Sequence, residues 1–140
     1  MKPKISVLVP LYNERENIER LVHEVGKVMQ TLANPFELIL VDDGSRDGSA
    51  LLLRQMSRRF PYVKVILFRS NCGQTAALDA GFRHATGEIM ITMDGDLQND
   101  PADIPNMLQL LGQGYDLVAG YRHQRKDGLI LRKIPSRIAN

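Results

Sequence analysis

Residues 4–32, "KISVLVPLYNERENIERLVHEVGKVMQTL", decide the fold of this chain. The first part, Lys4 to Pro10, is a mostly apolar run of strand length, broken only by Ser6 after its opening lysine, as expected of a strand buried on both faces. The second part changes period: Ile18, Leu21, Val22, Val25, Val28, Met29 and Leu32 recur at helical spacing. Between them "NERE" offers Asn13 as an N-cap, with Glu16 three residues later in capping-box spacing. A buried strand followed at once by an amphipathic helix is one half-turn of a wound α/β fold.

The rest of the chain repeats the alternation. "FELILV" (36–41), "VKVILF" (63–68), "EIMITM" (88–93) and "YDLVAGY" (115–121) read as further strands. Helices are expected over 47–59, 74–85 and 101–111, with Pro101 in a first turn behind Asp100. The class is therefore α/β: a Rossmann-like, mainly parallel sheet with helices on both faces. Such sheets bind ligands beyond the carboxyl ends of their strands. Polar clusters stand at those ends: "YNE", "DDGS", "RSNCG", "DGDLQ" and "YRHQR". Their convergence on one edge carries more information than any of them alone.

Bulk properties fit one domain. The chain has 140 residues, 44% hydrophobic and 24% charged, with net charge +2. That charge gives no argument for a nucleic-acid partner. The single cysteine, Cys72, excludes an internal disulfide and fits a reducing compartment. No apolar run reaches the length of a membrane span, and the N-terminus lacks a signal-peptide pattern. Residues 121–140 carry six Arg and Lys residues against the single acid Asp127, either a solvated face or one that approaches an anionic membrane surface.

Each polar cluster suggests chemistry. In "DGDLQ", Asp94, Asp96 and Gln98 alternate along an extended segment and can present oxygens to one hard cation, Mg2+ or Mn2+. Gly95 lets a ligand approach the backbone. In "VDDGSRDGS", one of Asp42 and Asp43 can accept from a base or ribose while the other braces the loop, and Asp47 caps the next helix. Tyr12 can stack on a base, and Glu14 can reach its edge or the ribose. Arg69 and Asn71 stand before a glycine and a helix start, a setting suited to a phosphate or nucleotide. Arg122 is a better phosphate partner than His123, because its fork matches phosphate oxygens. Cys72 reads as a small filler, with no recognisable base beside it.

Together "SVLVPLYNERENI", "LILVDDGSRDGS", "RSNCGQTAALDAGFRHATGE", "MDGDLQNDP" and "GYDLVAGYR" resemble the family-two inverting glycosyltransferases of the GT-A fold, in order and across essentially the whole chain. With the closing "RKIPSRIAN", the pattern is most similar to the polyprenyl-phosphate branch, which includes dolichol-phosphate and undecaprenyl-phosphate glycosyltransferases. The resemblance implies roles. Pro10, Tyr12 and Glu14 match the first nucleotide-contacting motif, and Asp42 and Asp43 match the acidic pair near base and ribose. Asp94 and Asp96 match the metal-binding D-x-D at the catalytic centre, with Gln98 as a further ligand. Arg122 matches an arginine near the phosphates, and Arg137 a position near the acceptor phosphate. The implied donor is a UDP- or GDP-linked sugar and the implied acceptor a lipid phosphate. The implied chain is longer, continuing past residue 140 into membrane-associated helices at the cytoplasmic face; residues 1–140 would be its single nucleotide-sugar-binding domain. A lipid phosphate is already ionised near neutral pH and needs no strong base.

Four other functions stand beside this one. A dinucleotide-dependent dehydrogenase requires G-x-G-x-x-G after the first strand, and "PLYNERE" has no glycine. A sugar-phosphate nucleotidyltransferase requires a glycine-rich basic loop at the same place. A transferase with a sugar hydroxyl acceptor would need a general base, expected past residue 140, and a non-catalytic nucleotide-sugar-binding module is told apart by turnover, since it would release no nucleoside diphosphate.

Overall fold

The computed structural model describes residues 3–119 and 130–133. Strands β1 (Ile5–Leu11), β2 (Phe36–Asp42), β3 (Val63–Leu67), β4 (Ile89–Thr92), β5 (Leu117–Ala119) and β6 (Ile130–Lys133) form one sheet in the order β3-β2-β1-β4-β6-β5. Helices α1 (Arg15–Gln30), α2 (Ser49–Arg59), α3 (Gln74–His84) and α4 (Ile104–Gly112) connect them, α4 being preceded by a short 3-10 turn, Pro101–Asp103. The ladders β1/β2, β1/β4 and β2/β3 are parallel. The expected α/β class and mainly parallel sheet are thus observed.

Alternation along the strands sorts the core into two layers. Ile5, Val7, Val9 and Leu11 of β1, with Leu38 and Leu40 of β2, meet Ile18, Leu21, Val22 and Val25 of α1. Leu53 of α2 and Ile104 and Met107 of α4 join that layer. Leu8, Ile39, Val41 and Met90 face the other way, against Ala77 of α3. Small residues let α3 sit close: a Cβ placed on Gly81 would stand 2.7 Å from Leu8 Cδ2. A buried polar knot ties the amino ends of the strands. Glu37, 1% exposed, accepts from Ser6 Oγ at 2.6 Å and from the Thr86 amide at 2.7 Å, and it pairs with Lys64.

Three expectations need correction. The Asn13–Glu16 capping box does not form: Glu14 occupies the N-cap position of α1 without a side-chain cap. Asn13 instead adopts φ +54°, and its side chain accepts the Arg46 amide hydrogen. Asn tolerates that left-handed geometry better than most residues, and the loop bond outcompetes the local cap. The fifth strand, expected from Tyr115, begins at Leu117: β5 covers Leu117–Ala119 and, among the described residues, pairs only with β6. Lastly, part of the basic segment is strand: β6 lies between β4 and β5 and is antiparallel to both. Its four residues, "ILRK", are too short and too charged to announce a strand by periodicity.

Strand order reverses at β1. The chain runs outward through β2 and β3, then returns to place β4 on the other side of β1. A sheet of this kind opens a crevice at that switch point, outside the carboxyl ends of β1 and β4.

Candidate active site

A cleft of about 370 Å³ lies at this crevice, lined by Pro10, Leu11, Tyr12, Glu14, Asp43, Gln74, Asp94, Gly95 and Asp96. Three ligand-facing segments named from the sequence therefore meet: the end of β1, the end of β2 and the loop after β4. Tyr12 is 46% exposed, a large ring that the fold leaves uncovered.

The walls are braced by hydrogen bonds between loops. Asp43 is 4% exposed, and its carboxylate accepts the amide hydrogens of Cys72 (2.7 Å) and Gly73 (3.0 and 3.2 Å). Asn71 Nδ2 donates to the same carboxylate at 3.1 Å and to the Asp43 carbonyl at 3.2 Å. Of the two adjacent acids, Asp43 is thus the one that braces the start of α3. Asp42 is buried. Its Oδ2 accepts the Ser45 amide hydrogen at 3.1 Å, while its Oδ1 has no hydrogen-bond partner among the described residues.

Asp47 does not take the expected N-cap position of α2, which Gly48 holds with φ +91° and no side-chain cap; from one residue further out, Asp47 accepts from the Ser49 amide (3.0 Å) and hydroxyl (2.5 Å). It also accepts the Arg15 amide hydrogen at 3.1 Å, so one carboxylate serves the starts of α1 and α2. Desolvation pushes its pKa up, but these hydrogen bonds outweigh it and leave the carboxyl below its ordinary value.

The loop after β4 carries the acids. Asp94 receives a long hydrogen bond from Gln74 Nε2, 3.5 Å, across the cleft. Asp96 Oδ1 accepts the Gln98 amide hydrogen at 3.0 Å. Gly95 is required here by space, because a Cβ would fall 2.2 Å from Leu11 Cδ2 and 3.3 Å from the Pro10 carbonyl oxygen.

Asp94 and Asp96 are hard oxygen donors on one wall. Among the described residues no group of three or more His, Cys, Asp or Glu gathers as a metal cage. An open pair of carboxylates fits Mg2+ or Mn2+, which keep part of their shell for substrate phosphates, better than it fits a closed structural ion.

Of the residues named from the sequence, Pro10, Tyr12, Glu14, Asp43, Asp94, Gly95 and Asp96 line the cleft. Asp42, Arg69, Asn71 and Gln98 do not line it: Asn71 supports Asp43, and Gln98 meets Asp96 through its backbone. Arg122 and Arg137 lie outside the described residues. Gln74 and Leu11 belong to the cleft but were not singled out from sequence. The signal for Gln74 is its place directly after Gly73, at the first position of a helix that starts on the ligand edge.

The geometry defines a cleft at the strand-order switch point of an α/β sheet, with an acidic wall. Residues 6–138 match the model of Glycosyl transferase family 2, and the chain belongs to that family. It is 45% identical over 139 residues to a dodecaprenyl-phosphate galacturonate synthase of Rhizobium johnstonii, covering 98% of this chain and 41% of that relative. It is also 45% identical over 138 residues to an undecaprenyl-phosphate 4-deoxy-4-formamido-L-arabinose transferase of Pseudomonas savastanoi, covering 97% and 40%. The chain thus spans about two-fifths of the length of these relatives. Among solved structures it is similar to mannosyltransferase PcManGT of Pyrobaculum calidifontis in complex with GDP-Man and Mn2+. That match has TM-score 0.77 at 24% identity over 95% of this chain and 45% of that one. Glucosyl-3-phosphoglycerate synthase of Mycobacterium tuberculosis, in complex with Mn2+, UDP and glucosyl-3-phosphoglycerate, gives TM-score 0.73 at 20% identity over 94% and 57%. The fold is the GT-A glycosyltransferase fold. No helix among the described residues is long and apolar enough to cross a membrane.

Proposed function

We propose that this chain is the donor-binding domain of an inverting glycosyltransferase that moves a sugar from a nucleoside-diphosphate sugar to a polyprenyl phosphate. The observation that carries this reading is the meeting, in one cleft, of the Tyr12 ring with the Asp94 and Asp96 carboxylates. A ring for a base and acids for a phosphate-bound cation are the two ends of a nucleoside diphosphate. The relatives named for polyprenyl-phosphate sugar transfer support the acceptor class.

In this reading Tyr12 stacks on the base, and Glu14 and Asp43 face the ribose side of the cleft. Asp94 and Asp96 would hold Mg2+ or Mn2+, and Gln98 would have to turn its side chain toward them to add a third oxygen. A bound cation supplies neutralisation of the departing diphosphate. By the sequence pattern, Arg69 and Arg122 would add positive charge for the phosphates, and Arg137 would serve the acceptor phosphate. The acceptor oxygen attacks the anomeric carbon opposite the leaving group, so configuration inverts. It arrives ionised, which fits a cleft whose acids are engaged elsewhere. The whole protein works at the cytoplasmic face of a membrane, where lipid phosphate and soluble donor meet.

Calorimetric titration with UDP and with GDP, each with and without Mn2+, tests the reading. Metal-dependent binding of one nucleotide, abolished in Asp96→Asn, is the expected result. Asp96 is exposed, so that variant should keep its fold. If the folded wild-type chain binds neither nucleotide, the same titration on the full-length protein decides, and no binding there would overturn the donor-site reading.

A further inference from the structure

We infer that Asn99 is the positioning residue of the acidic loop: its carboxamide closes residues 94–99 on themselves and fixes how the Asp94 and Asp96 carboxylates are presented. The inference rests on the donor-site reading only for what the acids hold, not for how they are held.

The backbone ladder between β1 and this part of the chain ends at Met93, whose amide hydrogen goes to the Leu8 carbonyl at 3.0 Å. The next amide, that of Asp94, has left the sheet. Asn99 Oδ1 accepts it at 2.8 Å. Asn99 is 4% exposed, and a buried polar side chain is kept where it satisfies such a group. The bond fixes the backbone at Asp94 and so the direction of its Cα–Cβ bond. Asn99 contributes nothing to the cleft itself. It faces a separate groove behind the loop, shared with Arg20, Lys27 and Leu97.

Backbone strain points the same way. Leu97 has φ +65°, the left-handed region that a leucine rarely occupies. Such a conformation persists where its surroundings over-determine it, and it gathers at functional loops. Here the left-handed residue reverses the chain so that Asn99 returns to Asp94, while the Leu97 side chain packs on the main core layer. Asp96 Oδ1 closes a smaller turn inside the first through the Gln98 amide. Two carboxylates on one wall repel each other, and without restraint they would splay before a cation arrived. A loop closed from behind holds them ready, as outer partners do for metal ligands elsewhere.

The test uses the 140-residue chain, wild type, Asn99→Ala and Asn99→Asp, with two readouts. Amide hydrogen exchange at Asp94 is followed by NMR without metal. Asn99→Ala should speed it roughly tenfold. Asn99→Asp keeps the acceptor oxygen and should restore slow exchange; it also shows that a folded variant is available should the alanine form unfold. Mn2+ affinity in the presence of nucleotide is read from the EPR signal of the free ion, and Asn99→Ala should weaken it roughly tenfold at a temperature where its melting curve shows the native state. Unchanged Asp94 exchange in Asn99→Ala would overturn the inference. So would unchanged Mn2+ affinity alongside faster exchange, because the bond would then be structural only. A wild-type chain that binds no Mn2+ defeats the donor-site reading instead, and the exchange rates of the two variants then decide for or against loop closure.

Discussion

Asp43 Oδ1 stands 2.7 Å from the Cys72 amide nitrogen, so the end of β2 and the approach to α3 are a single hydrogen-bonded unit. Asp43→Ala leaves the Cys72 and Gly73 amides without their carboxylate acceptor, and Asn71 Nδ2 keeps only the Asp43 carbonyl. Losing a nearly buried carboxylate acceptor costs roughly 1–3 kcal/mol. Thermal unfolding should move down by several degrees, and UDP or GDP binding should weaken with it.

Tyr12 predicts the reverse split. Its ring is 46% exposed and carries little of the core, so Tyr12→Ala should leave the melting temperature nearly unchanged. Aromatic stacking on a base is worth about 1–3 kcal/mol, and nucleotide affinity should fall roughly tenfold. An unchanged dissociation constant by calorimetry would remove Tyr12 from the donor site.

Glu37 predicts a pH dependence. Burial pushes its pKa up, but the hydrogen bonds from Lys64, Ser6 and Thr86 outweigh burial and hold it below its ordinary 4.5. A carboxyl with a lowered folded-state pKa stabilises the fold above its unfolded value, and that stabilisation is lost as pH falls through the folded value. The melting-temperature gap between wild type and Glu37→Gln should be full above about pH 5 and should shrink as pH drops below 4.5. A gap constant down to strongly acid pH would contradict the assignment.

Gly95→Ala predicts damage by volume. The added methyl meets Leu11 Cδ2 at 2.2 Å, and Leu11 is 2% exposed with little room to retreat. Overpacking of this kind costs roughly 1–3 kcal/mol. Urea denaturation should show that loss, and Mn2+ binding should weaken because the acidic loop must lift from β1.

β1, β2 and β3 were legible as apolar runs of strand length and α1 by its helical period; β4, only four residues long, was legible because it is wholly uncharged and the alternation of elements calls for a strand there. "DGDLQ" and "YNE" were legible as site elements because charged groups at the tip of a buried strand are costly unless a counter-charge or ligand meets them. What escaped was set by tertiary context. β6 is four residues of mixed character that become a strand only because β4 and β5 offer free edges. Asn13 reads as a cap, yet its oxygen is taken by Arg46 from a loop 33 residues away. Asn99 reads as ordinary loop punctuation before Asp100 and Pro101, and nothing in its spacing announces the Asp94 amide. The choice between Asp42 and Asp43 as brace needed the position of α3, which pattern alone does not fix.

The insertion of β6 bears on how the site comes into being. β4 gains one neighbour, β1, from chain made long before it, and the other, β6, from chain made only after α4 and β5. During synthesis the strand leading into the acidic loop is therefore an open sheet edge until Ile130–Lys133 have emerged. Before then β1 already has both of its sheet neighbours, β2 and β4, while the strand that feeds the acids has only one of its two.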